Sequence, residues 1–442
     1  MKTPLLPTQL FDVELICARE DLPNFSKPGT GKTLTTIGAL NKLRMQSGLI
    51  VCPTVATIMW HDLLTSELGA RVQHVKTKKE TIDRKADFLV MSFGIVADQA
   101  PSLLDRDNGA LILDESHYLK TPDAARTTAV FGEDGDGAGG LYETSQQCWC
   151  LTGTPIERYA DDLWSQLRAT QPEILQQYGA LTLPEFQRQF CRMEWKEYAQ
   201  GKIRKYVSIG NQSTRLLNRM LYTDIGAIRR TMSDVDPYMP PTTERQIFTR
   251  AKITEELKAL LVGKSEADII KMVTAGGDEI TRARRLMGMA KLKEVVSYVK
   301  EQAKDHPVLV GFWHQDVGKE IYKQLSGDNF AANLIWGGTS ADARERIRVR
   351  MKNGELDVLV GQIAAMGVAM DGLQDSCNHV VFAELDWSAS KHEQFYKRIA
   401  RKGQLQHVQV DYCTSLEAVD TALTKIRERK AAGAAEILDE KL

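Results

Sequence analysis

The sequence predicts an α/β fold of two lobes, each built on a parallel sheet and joined by a mostly helical stretch. Three observations carry this expectation. The first is a set of short apolar runs, "GLIVCP" (48–53), "DFLVMSF" (87–93), "ALILDE" (110–115) and "CWCLTGTP" (148–155). The second is a matching set late in the chain, "PVLVGFW" (307–313), "NLIWGG" (333–338), "LDVLVGQ" (356–362) and "HVVFAEL" (379–385). Continuous Val, Ile and Leu runs separated by amphipathic stretches are the pattern of parallel strands covered on both faces. The third is length, since 442 residues exceed one core at ~150 residues per domain.

Taken in order, residues 1–170 hold the first strand set and form one lobe. Residues 171–300 carry helical periodicity in "LPEFQRQFCRMEWKEYAQ", "TRLLNRMLYTDIGAIRRTM" and "TRARRLMGMAKLKEVVSYVKEQA", and are expected to be a basic, helical insertion. Residues 301–415 form the second lobe, and 416–442 a last helix whose end, "KAAGAAEILDEKL", reads as frayed. The formal charge is −1, from 57 Lys and Arg against 58 Asp and Glu, so any polyanion site must be a local patch. Seven scattered cysteines favour free thiols in a reducing compartment, and Cys148-Trp149-Cys150 lacks a second pair at zinc-ligand spacing. The opening "MKTPLLPTQLFDVELI" has no signal-peptide pattern, and no apolar window reaches ~18 residues, so a cytoplasmic protein without a membrane partner is expected.

The chemistry starts at "LPNFSKPGTGKTLTTIGAL". Gly29 and Gly31 precede a helical run, so backbone N–H groups and the helix N-terminus can face phosphate, Lys32 can reach the β and γ phosphates, and Thr33 can bind Mg²⁺. Ser26 stands where the stricter phosphate-loop pattern has glycine. Next, "ALILDESH" delivers Asp114 and Glu115 at the C-terminal end of a strand, where α/β sheets hold ligands. Asp114 then suits the Mg²⁺ hydration shell, and Glu115 the attacking water. His117 and Thr152 to Thr154 fit either coupling to the γ phosphate or ordinary turn chemistry.

The order of blocks "LLPTQLFDVELI", "GTGKT", "DESHYLK", "LTGTPIE", "IRRTMSDVDPYMPP", "GGTSADARERI", "GQIAAMGVAMDGL" and "QFYKRIARKGQ" resembles helicase superfamily two, and within it the Swi/Snf-type ATPases of the short branch with annealing helicases. The resemblance implies two RecA-like lobes, ATP and Mg²⁺ as ligands, and double-stranded DNA gripped by its backbone. It implies that Gln9 contacts adenine, that Gly29, Thr30, Gly31, Lys32 and Thr33 cradle phosphates, and that Gly367 and Gln394 lie near the ATP cleft. Lys32, Asp114 and Glu115 would serve catalysis, with Arg398 and Arg401 supplied across the cleft by the second lobe. Candidate DNA contacts are Thr54, Arg229, Arg230 and Thr339, with Arg284 and Arg285 in the helical middle; each arginine equally fits a solvated or lobe-bridging role. Trp60 and Trp387 read as core packing. The expected protein is a monomeric duplex translocase, its partners DNA repair or replication proteins, in a bacterial or phage-infected cell, or nuclear if eukaryotic. A strand-separating helicase and an ATP-gated scaffold stay open as alternatives.

Overall fold

The computed structural model describes residues 1–198, 203–366, 370 and 372–439. Its backbone separates into two units, one of residues 1–235 with 432–442, the other of residues 236–431.

In the first unit, β1 (Gly48–Cys52), β2 (Val72–His74), β3 (Phe88–Ser92), β4 (Asn108–Asp114) and β5 (Ser145–Leu151) form a sheet in the order β2-β3-β1-β4-β5. Every pairing is parallel. The period of two decides the core: Leu49, Val51, Leu89, Met91, Leu111 and Leu113 project to one layer, with Cys148 and Cys150 beside them. All seven cysteines are free thiols, six of them buried.

The expected helical middle is divided between the units, because its helices pack on different cores. Phe186 and Phe190, fully buried on the helix Leu183–Phe190, join Phe25, Leu163, Leu217 and Met220 in a second core of the first unit. That helix ends where the sequence pattern continues. Residues Cys191–Tyr198 form β6 instead, paired antiparallel with β7 (Ile203–Asn211). The partner strand carries Tyr206, Val207 and Ile209, residues that fit a pleated surface, and its pairing overrides the local helical period. The long helix Asp278–Gln302 lies in the second unit.

The second unit's sheet contains β8 (Thr242–Phe248), β9 (Val308–Phe312), β10 (Ala332–Ile335), β11 (Val358–Gln362), β12 (His379–Phe382) and β13 (Val408–Thr414). The order is β10-β11-β9-β12-β13-β8, parallel throughout. Residues 430–438, expected to be frayed, are helical. A helix runs Ala418–Leu438, and its Ile437 and Leu438 are buried in the Phe25 core of the first unit. Among the described residues, no helix is long and apolar enough to cross a membrane.

Candidate nucleotide site

The segment leading into "GTGKT" is held from both sides by backbone. Asn24 N–H donates to the Cys150 carbonyl (2.8 Å), and Thr152 N–H donates back to Asn24 (3.1 Å), extending the β5 edge. On the other flank, Phe25 N–H donates to Ile228 (2.7 Å), Lys27 N–H to Arg230 (2.8 Å), and Arg230 N–H to Ser26 Oγ (3.0 Å). The loop that follows is pinned before it turns.

Gly29 and Gly31 both have φ of 87°, a left-handed backbone that costs a Cβ-bearing residue ~1–2 kcal/mol. Gly31 caps the 12-residue helix Lys32–Leu43, leaving first-turn N–H groups at the loop mouth. Thr30 Oγ1 donates to the Lys27 carbonyl (2.8 Å), closing the turn, and Thr33 is half-buried on the helix's first turn. Gln9, on the helix Pro7–Cys17, is buried with its amide nitrogen so close to Gly31 that any Cβ there would collide with it. Lys32 Nζ donates to the carbonyls of Ser26 (2.7 Å) and Lys27 (3.4 Å), so the ammonium sits over the loop it serves.

Asp114 ends β4, and Trp60 Nε1 donates to its Oδ2 at 2.8 Å. Burial first, and the neighbouring Glu115 second, push the Asp114 carboxyl up to about 6. Glu115 takes a left-handed backbone (φ 56°), a strained position for a non-glycine residue. Its Oε2 lies 3.4 Å from Thr152 Oγ1 and 3.3 Å from His117 Nδ1. Thr152 Oγ1 also meets His117 Nδ1 at 2.9 Å and accepts from Thr154 N–H (3.1 Å). A hydroxyl that donates to Glu115 must accept from the imidazole, so the proton sits on His117 Nδ1. Asp114, Glu115, His117 and Thr152 therefore form one connected cluster at the ends of β4 and β5, the strand edge that also holds the loop.

The other expected positions divide. Thr54 is exposed directly after β1, its carbonyl accepting from Thr57 Oγ1 (2.7 Å). Thr339 is half-buried and its Oγ1 accepts from Trp336 N–H (3.0 Å). Arg229 is spoken for inside the first unit. Its guanidinium donates to Asp439 (2.7 Å) and to the carbonyls of Phe25 (2.5 Å) and Gly153 (3.3 Å), at 11% side-chain exposure. Arg230 grips Asp12 at 2.6 Å. Arg284, a candidate for either phosphate contact or a lobe-bridging role, is buried with its guanidinium over the Trp387 ring (4.7 Å) and donating to the Leu385 carbonyl (2.8 Å). Desolvation, the largest influence on it, lowers its pKa. Arg285 pairs with Asp316 (2.5 Å).

In the second unit, Gln394 lies on the helix Ala389–Tyr396, and Arg398 and Arg401 follow it, all half-buried. Gln404 is buried and donates to the carbonyls of Cys377 (2.9 Å) and Ile399 (3.2 Å), and Gly403 has φ of 94°. That pair fixes the course of the arginine-bearing segment. Gly367 lies outside the described residues. Sequence reasoning missed three supports: Trp60 on Asp114, Asp12 under Arg230, and Asp439, which binds Lys27 (3.2 Å) as well as Arg229. Nothing local to any of the three signals its partner.

The SNF2-related domain matches residues 25–298, and the helicase conserved C-terminal domain matches residues 289–403. The chain is similar to the DNA annealing helicase and endonuclease ZRANB3 of Homo sapiens, 24% identical over 91% of this chain and 37% of that protein. The Mus musculus protein of the same name is 26% identical over 98% of this chain and 40% of its own length. SWI/SNF-related matrix-associated actin-dependent regulator of chromatin subfamily A-like protein 1 of Xenopus tropicalis is 24% identical over 96% of this chain and 44% of that protein. The chain thus spans less than half the length of these relatives. A solved structure, the Sulfolobus solfataricus SWI2/SNF2 ATPase core in complex with dsDNA, aligns with TM-score 0.46 and 16% identity, covering 100% of this chain and 98% of that one. With a family match that takes in residues 25–298, well over half its length, the chain belongs to the SNF2-related domain family.

Proposed function

We propose that the protein is a DNA-stimulated ATPase that moves along double-stranded DNA by its backbone. The observation that supports this best is the cluster of Asp114, Glu115, His117 and Thr152 on the same strand edge as the Gly29–Lys32 loop. The neighbouring carboxylates, one buried and raised to about 6, are relieved by a divalent cation, so the donor set of Thr33 and Asp114 fits Mg²⁺. Thr33 and Asp114 would hold Mg²⁺, which would supply charge neutralisation for the phosphates of bound ATP.

The chain's own residues do the rest. Gly31 and the N–H groups that follow it receive phosphate oxygens, and Gln9 packs over the loop beside the base. Lys32 exchanges its carbonyl acceptors for charged phosphate oxygens, a stronger pairing. Glu115 aligns the attacking water and takes its proton, held by Thr152 and, through it, His117. Arg398 and Arg401 stabilise the charge of the transferring phosphoryl group, a role worth ~10³ to 10⁵ in rate. Thr54 and Thr339 contact duplex phosphates, which gives weak sequence preference and steep salt dependence. Arg229 and Arg230, held in ion pairs, serve by fixing the loop from behind.

The test is ATP turnover with duplex DNA, single-stranded DNA and RNA. Duplex DNA should stimulate most; stimulation by RNA alone would refute the reading. A strand-separating helicase is the second reading, favoured by Ser26 and Lys27, which give the loop an ordinary helicase sequence. Displacement of a triplex strand without unwinding of a forked duplex supports the translocase, and unwinding supports the helicase.

A further inference from the structure

The hairpin β6-β7 presents a surface that its own folding does not explain. Its base is anchored firmly in the first unit. Cys191 is buried, Ser208 Oγ donates to Asp161 (2.6 Å), and Asn211 accepts from Ala160 N–H (2.9 Å) while donating to the Gly433 carbonyl (3.2 Å). Beyond this base, the register places Trp195 opposite Tyr206, with ring centroids 5.1 Å apart and planes tilted by 37°. Trp195 is 64% exposed and Tyr206 53%. Two large rings stand in water side by side.

The next pair is Lys196 opposite Lys205. Like charges directly opposite on an antiparallel pair are destabilising. By the alternation of a strand, the lysines face away from the rings. Across residues 191–211 the sequence has five basic residues and two acidic ones, in a chain whose formal charge is −1. The hairpin thus offers two aromatic faces on one side and a pair of facing lysines on the other, only a two-strand width apart.

We propose that this hairpin binds an unpaired nucleic-acid strand, its bases stacking on Trp195 and Tyr206 and its phosphates meeting Lys196 and Lys205. A single strand has the matching asymmetry, with π faces on one side and phosphodiesters on the other. In a duplex the base faces are already stacked and closed to the rings. The excess of basic over acidic residues across the hairpin favours a polyanion over an apolar protein partner. The inference rests on the reading of the chain as a nucleic-acid-dependent ATPase and adds the strand it holds outside the duplex path.

The experiment measures oligothymidylate affinity and duplex-stimulated ATP turnover on the same full-length proteins. Trp195→Ala with Tyr206→Ala should weaken oligothymidylate binding ~10-fold or more while turnover on duplex DNA stays within ~2-fold. Trp195→Phe with Tyr206→Phe keeps both rings and should restore the affinity. Lys196→Gln with Lys205→Gln should raise the melting temperature, by removing the like-charge pair, and flatten the salt dependence of oligothymidylate binding. Unchanged oligothymidylate affinity in the double-alanine variant overturns the proposal. So does parallel loss of duplex-stimulated turnover at unchanged melting temperature, which would make the hairpin part of the duplex grip. A shift from dimer to monomer on sedimentation, with affinity unchanged, would make the rings an interface between copies and also overturn it. Absence of duplex stimulation in the wild type sinks the translocase reading, and the oligothymidylate arm still decides the hairpin.

Discussion

Gly31 is glycine for two separable reasons, its left-handed backbone and the amide of Gln9 lying where a side chain would begin. Gly31→Ala should therefore weaken nucleotide binding and cost ~1–2 kcal/mol from backbone conformation alone, with the collision in addition. Adding Gln9→Ala should recover the part due to collision and leave the backbone part, as read by thermal melts and binding of a fluorescent nucleotide. Full recovery in the double variant would show that the left-handed turn matters little. Glu115 permits a cleaner test of chemistry. Glu115→Gln keeps the shape and the Thr152 contact but removes the base, so ATP binding should persist while single-turnover hydrolysis falls ~10² to 10⁴-fold. Wild-type hydrolysis in that variant would take Glu115 out of the mechanism. At this scale the sequence revealed a great deal, because a phosphate loop and a strand-end carboxylate pair are local patterns. It concealed what depends on distant partners: the arginines Arg229, Arg230 and Arg284 looked available for phosphate, whereas Asp439, Asp12 and the Trp387 ring occupy them.

At the scale of elements, strands buried on both faces announced themselves as apolar runs, and those with polar neighbours did not. β8 is largely exposed, and β13 carries Asp411 in its middle, where His379 (2.6 Å), Tyr298 (2.6 Å) and Arg245 (2.8 Å) from other elements satisfy it. The end of the closing helix was misread for a related reason. Its few apolar residues look too sparse to anchor it until the Phe25 core supplies the socket. Ile437→Ala should then cost ~2–5 kcal/mol in urea unfolding, whereas a frayed end would stay within ~0.5 kcal/mol. The helix Ala389–Tyr396 holds a second buried device. His392 Nδ1 donates to the Ser388 carbonyl (3.1 Å) and Nε2 accepts from Asp386 N–H (3.2 Å), so the ring is neutral. Burial, chiefly, pushes its pKa from 6.5 down to about 3. A depressed base binds its proton in the unfolded chain before the folded one, so this stabilisation is present above pH 6.5 and is lost as pH falls towards 3. The loss runs at ~1.4 kcal/mol per pH unit. His392→Gln should show a shallower loss of urea midpoint across that window, and an identical slope would rule the ring out as a source of acid lability.

For the molecule as a whole, the two parallel sheets were legible because each strand set repeats one rule of burial, while the division of the chain was not. Residues 171–300 are apportioned by which core their apolar faces find, and residues 432–442 return to the first unit, facts no local window contains. The proposed mechanism needs both units, since the phosphate loop lies in one and Arg398 and Arg401 in the other. Arg401→Ala should leave nucleotide affinity and melting temperature near wild type and lower DNA-saturated turnover ~10³ to 10⁵-fold. Arg401→Lys should rescue poorly, because a lysine has the charge but not the planar fork that meets two phosphoryl oxygens. The control is Gln404→Ala, which strips hydrogen bonds from two buried carbonyls and should cost ~1–3 kcal/mol of stability. It should lower turnover through misplacement of the arginine segment. A merely structural Arg401 would follow the Gln404 pattern, losing stability and turnover together, whereas a transition-state role separates them. Wild-type turnover in Arg401→Ala at saturating DNA would remove the second unit's arginine from the chemistry and leave hydrolysis to the first unit's cluster.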